Sequence, residues 1–172
     1  MDPPLIWREM PDDELVGWVM QRNRDWVDFY GYYAPARMQL AKLTPGQRAL
    51  YCCKWLDYEV QNGGFYQFFG NSTGMIGPEA LEGFKLFGMD EAAKAIQAAF
   101  DFAKFDPYPR ERKERHERLP DYDGDKEKWE ALTEAYYDAV KDKSTPEEYD
   151  YIIAAKIVAY IRAHPEQFFK LD

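Results

Sequence analysis

The stretch from residue 59 to residue 74 holds the side chains of this sequence that are best suited to form a polar site. Its carboxylate and amide groups alternate with four aromatic residues and four glycines, and they are Glu59, Asn62, Gln67 and Asn71. One interpretation is a corner between two helices, in which amide side chains bind backbone groups freed at the helix ends while the rings fill the core. The other interpretation is an open pocket in which these four side chains bind a small ligand or catalyse a reaction.

The histidines and cysteines lack the spacing of a metal site. His116 lies in a run of charged residues, and His164 precedes Pro165 at a predicted helix end, so neither belongs to an HxxxH or HExxH pattern. Cys52 and Cys53 are adjacent, and they point to different faces of a helix, which predicts buried, inert thiols in a reducing compartment. A Cys–His nucleophile pair stays open on sequence alone.

A short acidic loop begins like a calcium site but does not continue as one. After Asp121 and Asp123, a calcium loop requires glycine at position 126 and a carboxylate at position 132, where the chain has Lys126 and Leu132. We therefore expect a solvated loop in which Asp125 caps the next helix. Because no phosphate-binding glycine motif is present either, we expect no metal, no cofactor and no catalytic residue.

Helix signals are dense along the chain and strand signals are weak. Thr44 followed by proline, for example, is typical of a helix N-terminus. The short connections and the absence of an internal repeat predict one all-α domain over residues 1–172, with about nine irregularly packed helices. The predicted helices cover residues 12–30, 34–43, 45–61, 65–69, 78–87, 91–103, 110–118, 125–140 and 146–163.

The formal net charge of −9 is concentrated at the two ends of the chain. Residues 1–30 hold seven acids against three bases, residues 31–118 eleven against twelve, and residues 119–172 thirteen against seven. A negative surface disfavours direct binding to nucleic acid and to anionic membranes, and it suits a basic protein partner. Neither a secretory signal nor an apolar run of about 20 residues is present, so we expect a cytoplasmic protein.

The stretch 59–74 resembles the signature of the DNA mimic protein 19 family, which comprises small acidic bacterial proteins. We call the residues that carry this resemblance the signature residues and interpret them as structural; they are Glu59, Asn62, Gly63, Gly64, Phe65, Gln67, Phe68, Asn71 and Gly74. The resemblance implies an all-α fold and a homodimer. It also implies that surface carboxylates imitate DNA phosphates and occupy the DNA-binding surface of a transcription regulator.

Acids that could form such a surface follow helical spacing in the last third of the chain, although four lysines dilute their charge. These acids are Asp121, Asp123, Asp125, Glu127, Glu130, Glu134, Asp138 and Asp142. The first hypothesis is thus an acidic protein-binding module, and not an enzyme, that acts as a DNA mimic toward a basic protein. The alternatives are an interaction or immunity module without mimicry, and a small-ligand binder or enzyme at the 59–74 corner.

Overall fold

A computed structural model of the chain describes residues 6–22, 27–141 and 152–169, without the side chain of residue 22. Within these ranges the chain forms nine α-helices, two 3₁₀ helices and no β-strand, which confirms the predicted all-α class. None of the described helices combines the length and the apolar character that crossing a membrane requires. The α-helices are α1 (Ile6–Glu9), α2 (Asp12–Arg22), α3 (Tyr33–Leu40), α4 (Pro45–Gly70), α5 (Gly77–Leu86), α6 (Asp90–Phe102), α7 (Arg112–Arg118), α8 (Lys126–Val140) and α9 (Ile152–Ala163), and the 3₁₀ helices are Ser72–Ile76 and Pro165–Gln167.

The long helix α4 is the central element, and α5, α7, α8 and α9 all pack against it. Its N-terminus is fixed by a capping box, in which the Thr44 hydroxyl accepts a hydrogen bond from the Gln47 amide and the Gln47 side chain accepts one from the Thr44 amide. Pro45 occupies the first helical position, as the sequence predicted. Leu56 and Val60, further along, are completely buried.

A kink divides α4 at Gly63 and Gly64. The backbone of Gly64 has φ 73°, in the left-handed region that favours glycine. A Cβ atom at this position would also lie 2.8 Å from Oγ1 of Thr133 on α8. The sequence predicted one helix that ends here and a second helix at 65–69; the structure joins both segments through the kink.

Aromatic rings fill the space between α4 and the helices α6 and α8. The ring centroid of Phe65 lies 5.7 Å from that of Tyr136, and the centroid of Phe69 lies 6.1 Å from that of Trp129. The buried Tyr136 hydroxyl donates a hydrogen bond of 3.1 Å to Oδ1 of Asp57. Burial, together with the Asp57 carboxylate, raises the pKa of Tyr136, so this hydroxyl stays protonated as a donor.

The prediction of one helix over residues 12–30 was wrong, because residues 27–29 are not helical. The carboxylate of Asp28 instead accepts a 2.8 Å hydrogen bond from the amide of Tyr30, which forms a local turn. Phe29 is nevertheless buried, with its ring centroid 5.4 Å from that of Tyr51. The start signal predicted at 145–146 lies outside the described residues.

We predict that both cysteine thiols are unreactive in the native protein. Cys52 and Cys53 are completely buried, and burial raises the pKa of each thiol well above its ordinary value, so reactive thiolate is scarce. A colorimetric disulfide reagent should therefore label neither thiol in buffer and both in strong denaturant. Rapid labelling of either thiol without denaturant would contradict the described burial.

Candidate functional site

The signature residues meet where α4 ends, around the carboxylate of Glu59. Its Oε2 atom accepts hydrogen bonds from Asn71 Nδ2 at 2.8 Å and from Gln67 Nε2 at 3.0 Å, and its Oε1 atom accepts one from the Thr73 hydroxyl at 2.6 Å. Residues eight positions apart lie about 12 Å apart along a straight helix, too far for a hydrogen bond. The kink in α4 therefore brings Gln67 back to Glu59.

The backbone carbonyls at the end of α4 are bound by a buried arginine. Arg115 is fully buried, and its guanidinium donates to the carbonyl oxygens of Phe69 at 2.8 Å, Asn71 at 2.7 Å and Arg110 at 2.6 Å. Burial lowers the pKa of this guanidinium from its ordinary value. The corner interpretation assigned these backbone groups to amide side chains, whereas the amides of Gln67 and Asn71 bind a carboxylate.

Three further signature residues, Gly74, Phe65 and Phe68, support the same corner. A Cβ atom at Gly74 would lie 2.5 Å from the carbonyl oxygen of Phe68 and 2.9 Å from Nε of Arg115, so the site requires glycine. Phe65 and Phe68 are both fully buried in the core. The signature residues described so far bind one another or fill the interior.

Asn62 differs from the other polar signature residues, because it is exposed. It lines a cleft of about 300 Å³ between the kink and α8, together with Gly63 and Gly64. The rings of Tyr66, Tyr122, Trp129 and Tyr137 and the side chains of Glu130, Thr133 and Glu134 also line this space, which we call the kink cleft. The pocket alternative of the sequence analysis was limited to the 59–74 stretch, and it did not include the contribution of α8.

The acids predicted to bind a partner lie on α8 and on the loop before it. We call the following the α8 acidic surface: Asp121, Asp123, Asp125, Glu127, Glu130, Glu134 and Asp138. Six of these seven side chains are exposed and Asp125 is partly buried, whereas Asp142 lies outside the described residues. Only Lys126 and Lys128 accompany them within residues 121–140, which gives this segment a net charge of −5.

Few of these carboxylates are neutralised. Nζ of Lys126 lies 3.7 Å from Oε1 of Glu130, and this is the only ion pair of the surface within the described ranges. Both side chains of that pair are 57 % exposed, so solvent and salt screen their attraction. Within the described ranges the surface therefore presents several carboxylates without an ion pair.

The loop before α8 is arranged differently from the prediction. Asp125 occupies the N-cap position of α8, but its side chain makes no capping hydrogen bond. The carboxylate of Asp121 instead accepts a 2.9 Å hydrogen bond from the amide of Gly124 and so closes the turn. No group of three histidine, cysteine, aspartate or glutamate side chains among the described residues could hold a metal ion.

We predict that Glu59→Gln lowers the free energy of unfolding by about 1–3 kcal/mol. The NH₂ group of the new amide would face side-chain donors from which the carboxylate now accepts hydrogen bonds. Urea denaturation followed by circular dichroism measures this loss. Glu82→Gln is the matched control: Glu82 is exposed and pairs with Lys85 on the surface, so its change should stay within about 0.5 kcal/mol. Equal stability of the two variants would contradict the role of Glu59.

We also predict that Arg115→Lys destabilises the fold by roughly 3 kcal/mol, since an ammonium group cannot reach all the carbonyl oxygens that the planar guanidinium binds. Thermal and urea unfolding measure this effect. Arg112→Lys is the control, because Arg112 is exposed and donates from Nε to a single carbonyl, that of Gly70, at 2.8 Å. A loss of stability for Arg112→Lys as large as that for Arg115→Lys would contradict the role of the buried Arg115 guanidinium.

A comparison with known families agrees with this geometry. A family model described as DMP19-like protein matches residues 41–164, a range that contains every signature residue, the kink cleft and the α8 acidic surface. No curated protein and no solved structure matches the chain. The match covers well over half of the sequence and confirms the family that the resemblance of the 59–74 stretch predicted. The chain therefore belongs to the family of DMP19-like proteins.

Proposed function

We propose that this protein is an acidic binding module that attaches to a basic, DNA-binding protein through the α8 acidic surface and acts as a DNA mimic toward it. The observation that carries the proposal is the set of seven carboxylates on residues 121–140, against two lysines and with one ion pair among the described residues. Membership of the DMP19-like family supports the same conclusion. The net negative charge disfavours direct binding of the chain to nucleic acid or to an anionic membrane.

The charge density of α8 indicates how far mimicry can extend. Four carboxylates of the surface lie on the helix itself, at Glu127, Glu130, Glu134 and Asp138. The first and the last are about 16 Å apart along the axis, which gives roughly one carboxylate per 5 Å before the two lysines of the helix are counted. One DNA strand carries a phosphate about every 3.4 Å, so the carboxylates of the helix reach at most about two thirds of that density. The loop acids Asp121 and Asp123 bring further charge next to the N-terminus of α8.

Binding explains the site better than catalysis does. The polar side chains of the signature corner are occupied by one another: Glu59 accepts hydrogen bonds from Gln67, Asn71 and Thr73. DMP19-like proteins are also not a known family of enzymes. Both points favour a structural role for the corner and a binding role for the surface.

The proposal is tested by immobilising the chain and capturing basic proteins from cytosol at low salt. We expect a captured partner to be released by competing double-stranded DNA. We also expect its release by about 0.5 M salt, because salt screens the attraction between exposed charges. A partner released by salt but not by DNA would favour an interaction or immunity module without mimicry. Failure to capture any salt-sensitive basic protein would overturn the proposal.

We predict that neutralising the α8 acidic surface weakens binding to the captured partner. The variant with Glu127→Gln, Glu134→Gln and Asp138→Asn should lose about tenfold in affinity, at about 0.5 kcal/mol per charge. Isothermal titration with the purified partner measures the change.

The control variant makes the same change in net charge elsewhere. It carries Glu82→Gln, Glu91→Gln and Glu117→Gln, three exposed acids that each pair with a lysine on their own helix. We expect this variant to bind within about threefold of the unmodified chain. Equal losses in the two variants would show that only total charge matters and would contradict a defined surface.

The proposal includes the homodimer that the family resemblance implies. Three large apolar side chains on α3 and just before it are strongly exposed, namely Tyr30 at 85 %, Tyr32 at 76 % and Met38 at 69 %. Contact with a second copy of the chain would bury these side chains. Sedimentation velocity over a range of concentrations tests this part of the proposal, which a monomer at every concentration would exclude.

A further inference from the structure

We propose that the kink cleft is a binding site for one arginine side chain of the basic partner. This inference rests on the proposed function and deepens it, because it assigns a specific residue type to a specific place beside the α8 acidic surface. Three features of the cleft support it: its construction, its aromatic walls and its carboxylates.

The cleft is built by the contact between the kink and one face of α8. Glu130, Thr133, Glu134 and Tyr137 follow the spacing i, i+3, i+4 and i+7, so they share that face. The amide of Phe65, directly after the kink, donates a 3.3 Å hydrogen bond to the Thr133 hydroxyl and holds the two walls together. The volume of about 300 Å³ is at the lower limit of ligand pockets, which suits a single side chain.

Aromatic rings line the cleft beside the kink. The ring centroids of Tyr66 and Tyr122 lie 4.9 Å apart, and both residues are partly exposed. Tyr66 also contacts Trp129, with the ring centroids 5.5 Å apart. A guanidinium group is planar and weakly hydrated, so it stacks on such rings more readily than the compact, strongly hydrated ammonium group of lysine.

The carboxylates of the cleft are available to a cation. Glu134 is exposed and has no ion pair or hydrogen bond within the described ranges, while Glu130 has only the solvent-exposed pair with Lys126. A guanidinium group can donate two parallel hydrogen bonds to a carboxylate and still stack on a ring. The two carboxylates and the tyrosine rings thus provide both kinds of contact that arginine makes.

The test is a two-dimensional ¹H–¹⁵N NMR titration of the full chain with N-acetyl-arginine amide, compared with N-acetyl-lysine amide. The amide signals of Gly63 and Gly64 report on the cleft, and those of Glu127 and Asp138 report on the rest of α8. We expect the arginine probe to shift the two glycine signals at lower concentration than the lysine probe does.

Two matched variants separate the cleft from the surface around it. Glu134→Gln and Asp138→Asn each remove one exposed charge from α8, but only Glu134 lines the cleft. We expect Glu134→Gln to weaken arginine binding about fivefold and Asp138→Asn to change it by less than about twofold. Tyr122→Leu should abolish the preference for arginine over lysine, because it removes a stacking surface.

Several results would overturn the inference. These are equal binding of the two probes, equal losses in the two carboxylate variants, or glycine signals that do not move. Each would leave the proposed function in place if the immobilised chain still captures a basic protein that DNA releases. Absence of such a partner would instead overturn the proposed function, whatever the probes do.

Discussion

The carboxylate of Glu59 determines the geometry on which the rest of the molecule depends. By accepting hydrogen bonds from Gln67, Asn71 and Thr73, it joins the segment after the kink in α4 to the segment before it. The guanidinium of Arg115 then binds the carbonyl groups exposed at the end of that helix. One partly buried anion and one buried cation, each satisfied by uncharged groups, thereby fix the corner around which the other helices pack.

Helix α8 contributes to both the core and the surface. The inner face of α8 buries Trp129, Tyr136 and Val140, and the Tyr136 hydroxyl is bound by Asp57. The outer face carries Glu127, Glu134 and Asp138. Because the helix is anchored by aromatic packing on one side, its charges on the other side keep a defined spacing, which is what recognition by charge requires.

Local signals in the sequence were sufficient to predict much of the fold. The capping box at Thr44 depends on residues three positions apart, and the glycine pair at 63 and 64 marks a break whatever surrounds it. The signature residues likewise identified the family, since their pattern lies within one short stretch. The prediction failed at Asp28, where a side chain competes with the helical backbone, a choice that helical periodicity does not reveal.

Long-range contacts could not be predicted in this way. In the sequence Arg115 is one of several charged residues in a polar helix, which indicates an exposed side chain. Its burial follows only from its contacts with carbonyl oxygens more than 40 positions earlier. The kink cleft was missed for the same reason, because half of its lining comes from α8. Charge counting did locate the acids at 121–138. The ion pair of Lys126 with Glu130, and the lack of one at Glu134 within the described residues, required coordinates.

The close approach of Gly64 to Thr133 has a consequence for how this family can diverge. A side chain at position 64 would press on Thr133, and any shift of α8 that relieved this contact would move its whole row of negative side chains, although position 64 is uncharged and far away in the sequence. Selection for an electrostatic pattern can therefore act on an apolar backbone position. Preservation of this glycine in a relative would then report on the packing of its anionic helix as well as on the left-handed backbone of the kink.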